Sequence, residues 1–317
     1  MSFTQFLIRR LLFVVPTIFL VTVAVFSILQ LVPGDPVDAL LEEGMQDEEM
    51  REIIIKQYGF DKPIYVQYLR WMGKVLQGDL GSSILHARPV SEIVGDALPR
   101  TVYLTIAAMA IALIISFPLG IFAAVNRKSW VDYTAQVTAL IGLSVPGFWA
   151  ALMLMLYFGL MLGWFPVVGY TPPTENFTDF LHHLTLPAFT LGLEMVAVQT
   201  RMTRSTMLDE LNKDYVQTHR SQGLPERQII ARYTLKNAMI PTLTIVSIRF
   251  AALLGGTVVI ESVFAWPGIG LTIYDGIMTK DFPVVQGGIL VLAFSFIFIN
   301  LLVDIGYKWL DPRIVLE

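Results

Sequence analysis

Few residues of this 317-residue chain have the type and setting to do chemistry, and the most telling are two charges in apolar surroundings. Glu194 lies in the run Leu191-Gly192-Leu193-Glu194-Met195, and Arg249 in Val246-Ser247-Ile248-Arg249-Phe250. An ionised group at mid-bilayer costs at least ~2.5–3.5 kcal/mol and persists only with a partner or with water. Two arrangements meet that requirement. Either the side chains face each other as a buried pair, so that loss of one strands the other at a cost of several kcal/mol, or each snorkels separately into a water-filled path. Bond-making chemistry has little to work with. The sequence contains no GxxxxGKS or GxxxxGKT phosphate loop, no GxSxG elbow and no HExxH pair. His182 and His183 are adjacent, and neighbours on a helix point different ways, so they make a poor metal clamp. With no cysteine there is no disulfide and no thiolate site. Asn176-Phe177-Thr178 fits the glycosylation pattern, a match short enough to arise by chance, and Glu261 and Asp304 lie near the ends of apolar stretches, where hydration or helix-end capping accounts for them.

The elements that must position these charges are membrane helices. Hydrophobic residues make up 55% of the chain and charged ones only 15%, where soluble proteins carry about 25%. Mean hydropathy is +0.62. A soluble enzyme is excluded, as are disordered and collagen-like chains; 22 Lys and Arg against 26 Asp and Glu also leave no basic excess for nucleic acid. A bilayer core of about 30 Å requires roughly 20 apolar residues in a helix. Six stretches qualify, at 11–31, 101–125, 135–162, 186–200, 241–264 and 285–304, the fourth being short unless it continues into the polar segment after it. The first is too long for a signal peptide and is expected to stay as an anchor. Glu194 and Arg249 then lie ~10–12 Å in from the cytoplasmic ends of consecutive antiparallel helices.

Lys and Arg are retained on the cytoplasmic side, and with the N-terminus inside, the inner segments hold thirteen of them against eight outside, six of those eight in the long segment 32–98. Both termini are therefore expected in the cytoplasm. The division is an N-terminal tail and first span, 1–31; an extracytoplasmic segment, 32–98; and a core, 99–317, with a cytoplasmic loop at 201–240. The outer segment opens on the turn Pro33-Gly34-Asp35-Pro36, and its acidic run Glu42 to Glu52, Gly59, Pro63 and the Gly78 to Gly81 turn suggest short helices over the outer face. Paired glycines at 255–256 and 287–288 suit close helix approach. The inner loop reads as helix, tight turn and helix around Gly223-Leu224-Pro225. Its second arm mixes Ile229, Ile230, Tyr233 and Leu235 with Arg227, Arg232 and Lys236. Such an amphipathic hairpin either lies on lipid headgroups or docks into a groove of another protein.

At these residues the chain resembles the membrane-spanning permease subunits of bacterial ABC importers, in particular the dipeptide, oligopeptide and nickel family. The run Asp214-Tyr215-Val216-Gln217-Thr218-His219-Arg220-Ser221-Gln222-Gly223-Leu224, continuing to Lys236-Asn237-Ala238-Met239-Ile240-Pro241, is similar to that family's cytoplasmic "EAA" loop, with Gln217, Thr218 and His219 where the general motif has Glu-Ala-Ala. The likeness extends through Ile8-Arg9-Arg10-Leu11, Pro33-Gly34-Asp35-Pro36, Gly78-Asp79-Leu80-Gly81, Arg201-Met202-Thr203-Arg204, Trp266-Pro267-Gly268-Ile269-Gly270, Pro283-Val284-Val285-Gln286 and Asp311-Pro312-Arg313-Ile314. Glu194 and Arg249 stand where relatives usually have uncharged residues.

The resemblance implies an all-α membrane protein of six transmembrane helices with the ABC type I importer permease fold, in a bacterial or archaeal cytoplasmic membrane. It implies a transport subunit and not an enzyme. ATP and Mg would act in two separate ABC ATPase subunits, a second related permease would complete the path as a heterodimer, and an extracytoplasmic binding protein would deliver a peptide-like substrate. Tyr215, Thr218, His219, Arg220, Gly223, Leu224 and Pro225 would form the ATPase-coupling element, and Glu194 and Arg249 a buried pair or part of the substrate path. The competing reading is a stand-alone secondary transporter or channel with Glu194 and Arg249 as ion relay. The large cytoplasmic hairpin and the lack of an inverted repeat speak against it. An intramembrane enzyme would need a nucleophile–base or metal constellation, which the sequence does not offer.

Overall fold

A computed structural model describes residues 3–31, 55 and 61–310. The Pro33–Pro36 turn, the acidic run Glu42 to Glu52, Gly59 and the Asp311–Ile314 motif lie outside these residues. Described in chain order, the helices are α1 (Phe3–Leu31), α2 (Ile64–Val75), α3 (Val90–Val125), α4 (Trp130–Ser144), α5 (Gly147–Leu154, running into a π-helical turn at Met155–Met161), α6 (Phe177–Leu211), α7 (Asp214–Ser221), α8 (Glu226–Gln228, running into a second π turn at Ile229–Thr234), α9 (Leu235–Gly256), α10 (Val258–Val263), α11 (Ile269–Met278) and α12 (Phe282–Leu310). The protein is all-α, and each of the six apolar stretches falls on these helices. Among the described residues, Val90–Val125, Phe177–Leu211 and Phe282–Leu302 are each long and apolar enough to cross a bilayer.

The third stretch is not one straight span. Helices α4 and α5 meet at 101°. Proline disfavours helical backbone in the residue before it, and Val145 is extended (φ −85°, ψ 122°) ahead of Pro146, which opens α5. The fourth stretch, short in the sequence, is the middle of a continuous 35-residue helix. Asn176 starts that helix by accepting the amides of Thr178 and Asp179 at 3.0 and 3.2 Å, which gives the glycosylation-like triplet a capping role.

The chain divides into two compact units, residues 1–100 with 267–317 and residues 101–266. In the first, Val90, Val94 and Ala97 recur at helical spacing on α3 and pack with Ile269 and Ile273 of α11 and Val284 and Val285 of α12. Helix α11 has no counterpart among the sequence expectations, because ten residues are too few to register as a span. Gly287 and Gly288 let α12 approach closely: a Cβ on either would lie 2.5 Å from a side-chain carbon of Val90 or Ile273. Gly255 faces open space instead. Helix α2 lies against α1, where Tyr68 and Thr22 hydroxyls share a hydrogen bond of 2.9 Å.

In the second unit α6 is the hub. Phe180, Leu184 and Ala188, four residues apart, pack with Leu104 and Ala108 of α3 and with Trp266. Further along, α6 packs against α4 and α9. Glu261 departs from its expected hydrated setting. It is fully buried and accepts a hydrogen bond of 2.7 Å from the Thr101 hydroxyl, because α10, packed against α5 and α6, carries it into the core.

Candidate functional site: a cytoplasmic hairpin and a charged face on one helix

The C-terminal foot of α6 is anchored in the core through Met207, which packs with Ala124 of α3 and Ala238 of α9. From this foot the chain turns into α7, whose acidic start at Asp214 and basic end at His219 and Arg220 suit the helix dipole. Helix α7 is terminated by a left-handed residue, Gly223 (φ +79°). The amide of Leu224 donates to the carbonyl of His219 at 3.2 Å, and that of Gly223 to Arg220 at 3.0 Å. These two bonds form a Schellman cap, the stop signal that glycine adopts without steric cost. A Cβ at Gly223 would meet nothing within 4 Å, so the requirement for glycine is conformational.

Three further ties stiffen the hairpin. Arg220 grips Glu226 across the turn with Nε to Oε2 at 3.1 Å and Nη2 to Oε1 at 2.5 Å. This contact raises the Arg220 pKa and lowers that of Glu226. The His219 ring stacks on Tyr233, centroids 4.2 Å apart. At the base, Tyr215 donates to Glu210 at 2.8 Å and accepts from Asn237 at 3.3 Å, and burial is the main reason its phenol pKa is raised. Val216 and Ile229 are buried beneath.

The hairpin residues singled out in the sequence therefore fall into two groups. Thr218, Arg220, Gly223 and Pro225 are exposed on the turn and its flank, while Tyr215, His219 and Leu224 are half-buried braces. Glu226, Tyr233 and Glu210 are the partners that sequence reasoning missed. A basic residue six positions before an acidic one across a Gly-x-Pro turn is the signal that identifies the Arg220–Glu226 clamp.

Glu194 sits midway along α6, ~25 Å from either end of that helix. Arg249 of α9 faces it, Nη1 to Oε1 3.9 Å. The expected burial is not found within this chain: the Glu194 side chain is 73% exposed and that of Arg249 46%. Neighbouring Ile248 and Ala252 are also exposed, so among the described residues of its own unit nothing covers this part of α9. Removing one partner thus leaves a charge on an uncovered face, at a cost of about 0–1 kcal/mol where water reaches that face.

A second pair, missed because its members are 72 residues apart, lies nearer the C-terminal end of the same helix. Arg204 grips Asp132 of α4 bidentately, Nε to Oδ1 at 2.5 Å and Nη2 to Oδ2 at 2.8 Å. The Lys128 amide and the Gln136 side chain complete the shell of Asp132, whose side chain is 2% exposed. Opposite charges near the ends of two apolar stretches, Asp132 and Arg204 of Arg201-Met202-Thr203-Arg204, carry the sequence signal. His182 and His183 point apart as neighbours on α6: His182 meets the edge of Phe165, and His183 Nδ1 lies 2.8 Å from the Asp179 carbonyl.

The chain thus combines helices long and apolar enough to cross a membrane with an exposed, stiffened hairpin at the foot of α6. Residues 116–316 match the family described as binding-protein-dependent transport system inner membrane component, and residues 3–105 match its N-terminal region. The chain belongs to this family. It is 40% identical over 98% of both chains to an oligopeptide transport system permease protein, AppB, of Bacillus subtilis strain 168. It is 38% identical, again over 98% of each chain, to the glutathione transport system permease protein GsiC of Salmonella paratyphi A. The fold is that of a solved ABC importer permease: an inward-facing structure of the MetNI methionine ABC transporter superposes with a TM-score of 0.57 at 17% identity, over 69% of this chain and 96% of that one. The chain is thus a multi-pass permease component of the cytoplasmic membrane, of the dipeptide/oligopeptide type.

Proposed function

We propose that this chain is one of two related permease subunits of an ATP-driven importer for peptide-like cargo, which an extracytoplasmic binding protein delivers to its outer face. Relatives named for oligopeptide and glutathione transport support that cargo class. ATP and Mg act in two separate ATPase subunits, and the hairpin around Gly223 seats in a groove on one of them. Both termini lie on that side of the membrane.

The observation that carries the reading is mechanical. One rigid helix, α6, bears the hairpin at its foot and Glu194 at its midpoint. The Schellman cap, the Arg220–Glu226 clamp and the His219–Tyr233 stack make the hairpin a stiff lever. When the ATPases close on ATP the groove moves, the hairpin follows as a body, and α6 carries the displacement to the face where Glu194 and Arg249 lie. Packed helices switch between discrete arrangements under such a push and do not deform continuously. Glu194 and Arg249 line the path, because a charged pair at the middle of a span cannot face lipid tails without a large penalty.

Replacing Gly223 with valine tests the lever. Valine at a positive φ is strained, so ATP-driven uptake by the reconstituted complex is expected to be lost while the variant still inserts and assembles. Normal uptake in Gly223→Val would overturn the coupling assignment.

A further inference from the structure

The uncovered face around Glu194 has the make-up of a binding site for a zwitterion. Leu191, Met195 and Val198 of α6 and Ala252 and Leu253 of α9 wall a shallow cavity of about 160 Å³ whose two charged groups are Glu194 and Arg249. Apolar walls strengthen the electrostatic attraction of whatever charge enters. The cavity thus offers one carboxylate and one guanidinium side by side.

Several features separate these groups from a structural pair. At 3.9 Å the closest N···O approach is longer than a hydrogen bond. The guanidinium has five donor hydrogens and the carboxylate about four acceptor sites, and their mutual contact fills none of them. Asp132 and Arg204, on the same unit of the chain, show the saturated alternative, with two direct bonds and two supporting donors.

From this geometry we infer that Glu194 and Arg249 separate to take the two ends of a zwitterionic solute, the ammonium on Glu194 and the carboxylate on Arg249. The ligand class is a short molecule with a free primary amine and a free carboxylate, as in an unblocked peptide. Each new contact is a charge-assisted hydrogen bond, which the closed pair lacks. Binding of this kind is weak enough for release, as a transport path requires. No bond is made or broken. The inference rests on the permease reading above and deepens it by assigning the end-groups of the cargo to particular side chains.

The test uses the assembled importer in lipid nanodiscs without its binding protein, so that selection by that protein does not enter. The probes are trialanine, N-acetyl-trialanine and trialanine amide, titrated by saturation-transfer NMR. Free trialanine is expected to bind, and blocking either end to weaken binding at least tenfold. In Glu194→Gln the penalty for acetylation should vanish while that for amidation persists, and Arg249→Gln should show the reverse. If either variant fails to assemble, the charge-exchanged double variant Glu194→Arg/Arg249→Glu should keep both preferences. Equal binding of free and blocked peptides by the wild-type complex, or terminal preferences unchanged in the Gln variants, would overturn the assignment. ATP-driven uptake by the wild-type complex separates the two readings: uptake without terminal preference defeats only this inference, whereas a chain that assembles with no ATPase defeats the permease reading as well.

Discussion

Helix α6 holds a carboxylate at its midpoint and a guanidinium nearer its C-terminal end, and their surroundings differ in kind. Arg204 meets Asp132 through two short bonds in a shell that Gln136 and the Lys128 amide complete. Glu194 meets Arg249 at 3.9 Å on an open face. A buried, saturated pair holds α4 against α6, and removing one member leaves a charge without compensation. A loose, exposed pair contributes little to the fold, and its cost is met only where water, cargo or a partner subunit reaches it. The contrast teaches that a charge in a membrane protein is read from its shell more than from its depth.

The largest expected effect strikes the saturated pair. Asp132→Ala strands Arg204, and since the guanidinium keeps partial access to water we expect the lower end of the buried-pair range, ~3 kcal/mol, read as a lowered unfolding midpoint of the purified complex. Asp132→Leu combined with Arg204→Met should recover much of that loss. Equal midpoints for the single and double variants would erase the distinction between the two pairs.

Next comes the left-handed turn at Gly223. A non-glycine residue at the left-handed position costs ~1–2 kcal/mol, but asparagine visits that region more readily than valine. Uptake should therefore fall in the order wild type, Gly223→Asn, Gly223→Val, at similar expression. A flat series would mean that the turn does not need its left-handed geometry.

Smaller still is the effect of Glu194→Gln on stability, expected within about 1 kcal/mol of wild type by the same unfolding assay. A loss as large as that of Asp132→Ala would place Glu194 among the structural charges.

The smallest effect concerns the Arg220–Glu226 clamp. Because Arg220 lowers the Glu226 pKa below its usual 4.5, the folded turn binds fewer protons than the unfolded one in acid. The clamp contributes fully above about pH 4.5 and is lost as pH falls through the lower folded value. Hydrogen exchange at the Gly223 and Leu224 amides should quicken across that interval in wild type and show no such step in Glu226→Gln.

Much of this architecture is legible in the sequence because length and punctuation are local signals. All six apolar stretches fall on helices, and Gly223-Leu224-Pro225 marks its turn because glycine admits a positive φ while proline fixes its own φ. The bend at Pro146 has a local signal too, but an unbroken apolar composition from 135 to 162 conceals it. Exposure at Glu194 and burial at Glu261 are not local properties. They depend on which helix packs on which, and sequence position alone placed one too deep in protein and the other too near water. Asp132–Arg204 escaped because its signal, opposite charges near the ends of two apolar stretches, does not by itself say which helices pack together.

On the proposed reading, the face bearing Glu194 and Arg249 lines a water-filled path that the ATPases open and close. The chain has no native cysteine, so a single Ala252→Cys reports on that face while both charges stay in place. The assembled complex, reconstituted in membranes, is treated with a membrane-impermeant thiol reagent applied to either side, with and without ATP, and labelling is read on this subunit. Leu20→Cys, on an exposed apolar face of α1, serves as the control for a position away from the charged pair. Labelling is expected at position 252 from the ATPase side without nucleotide, with a switch to the opposite side when ATP is trapped and no labelling at position 20. Position 252 unreactive from both sides in both states would contradict it.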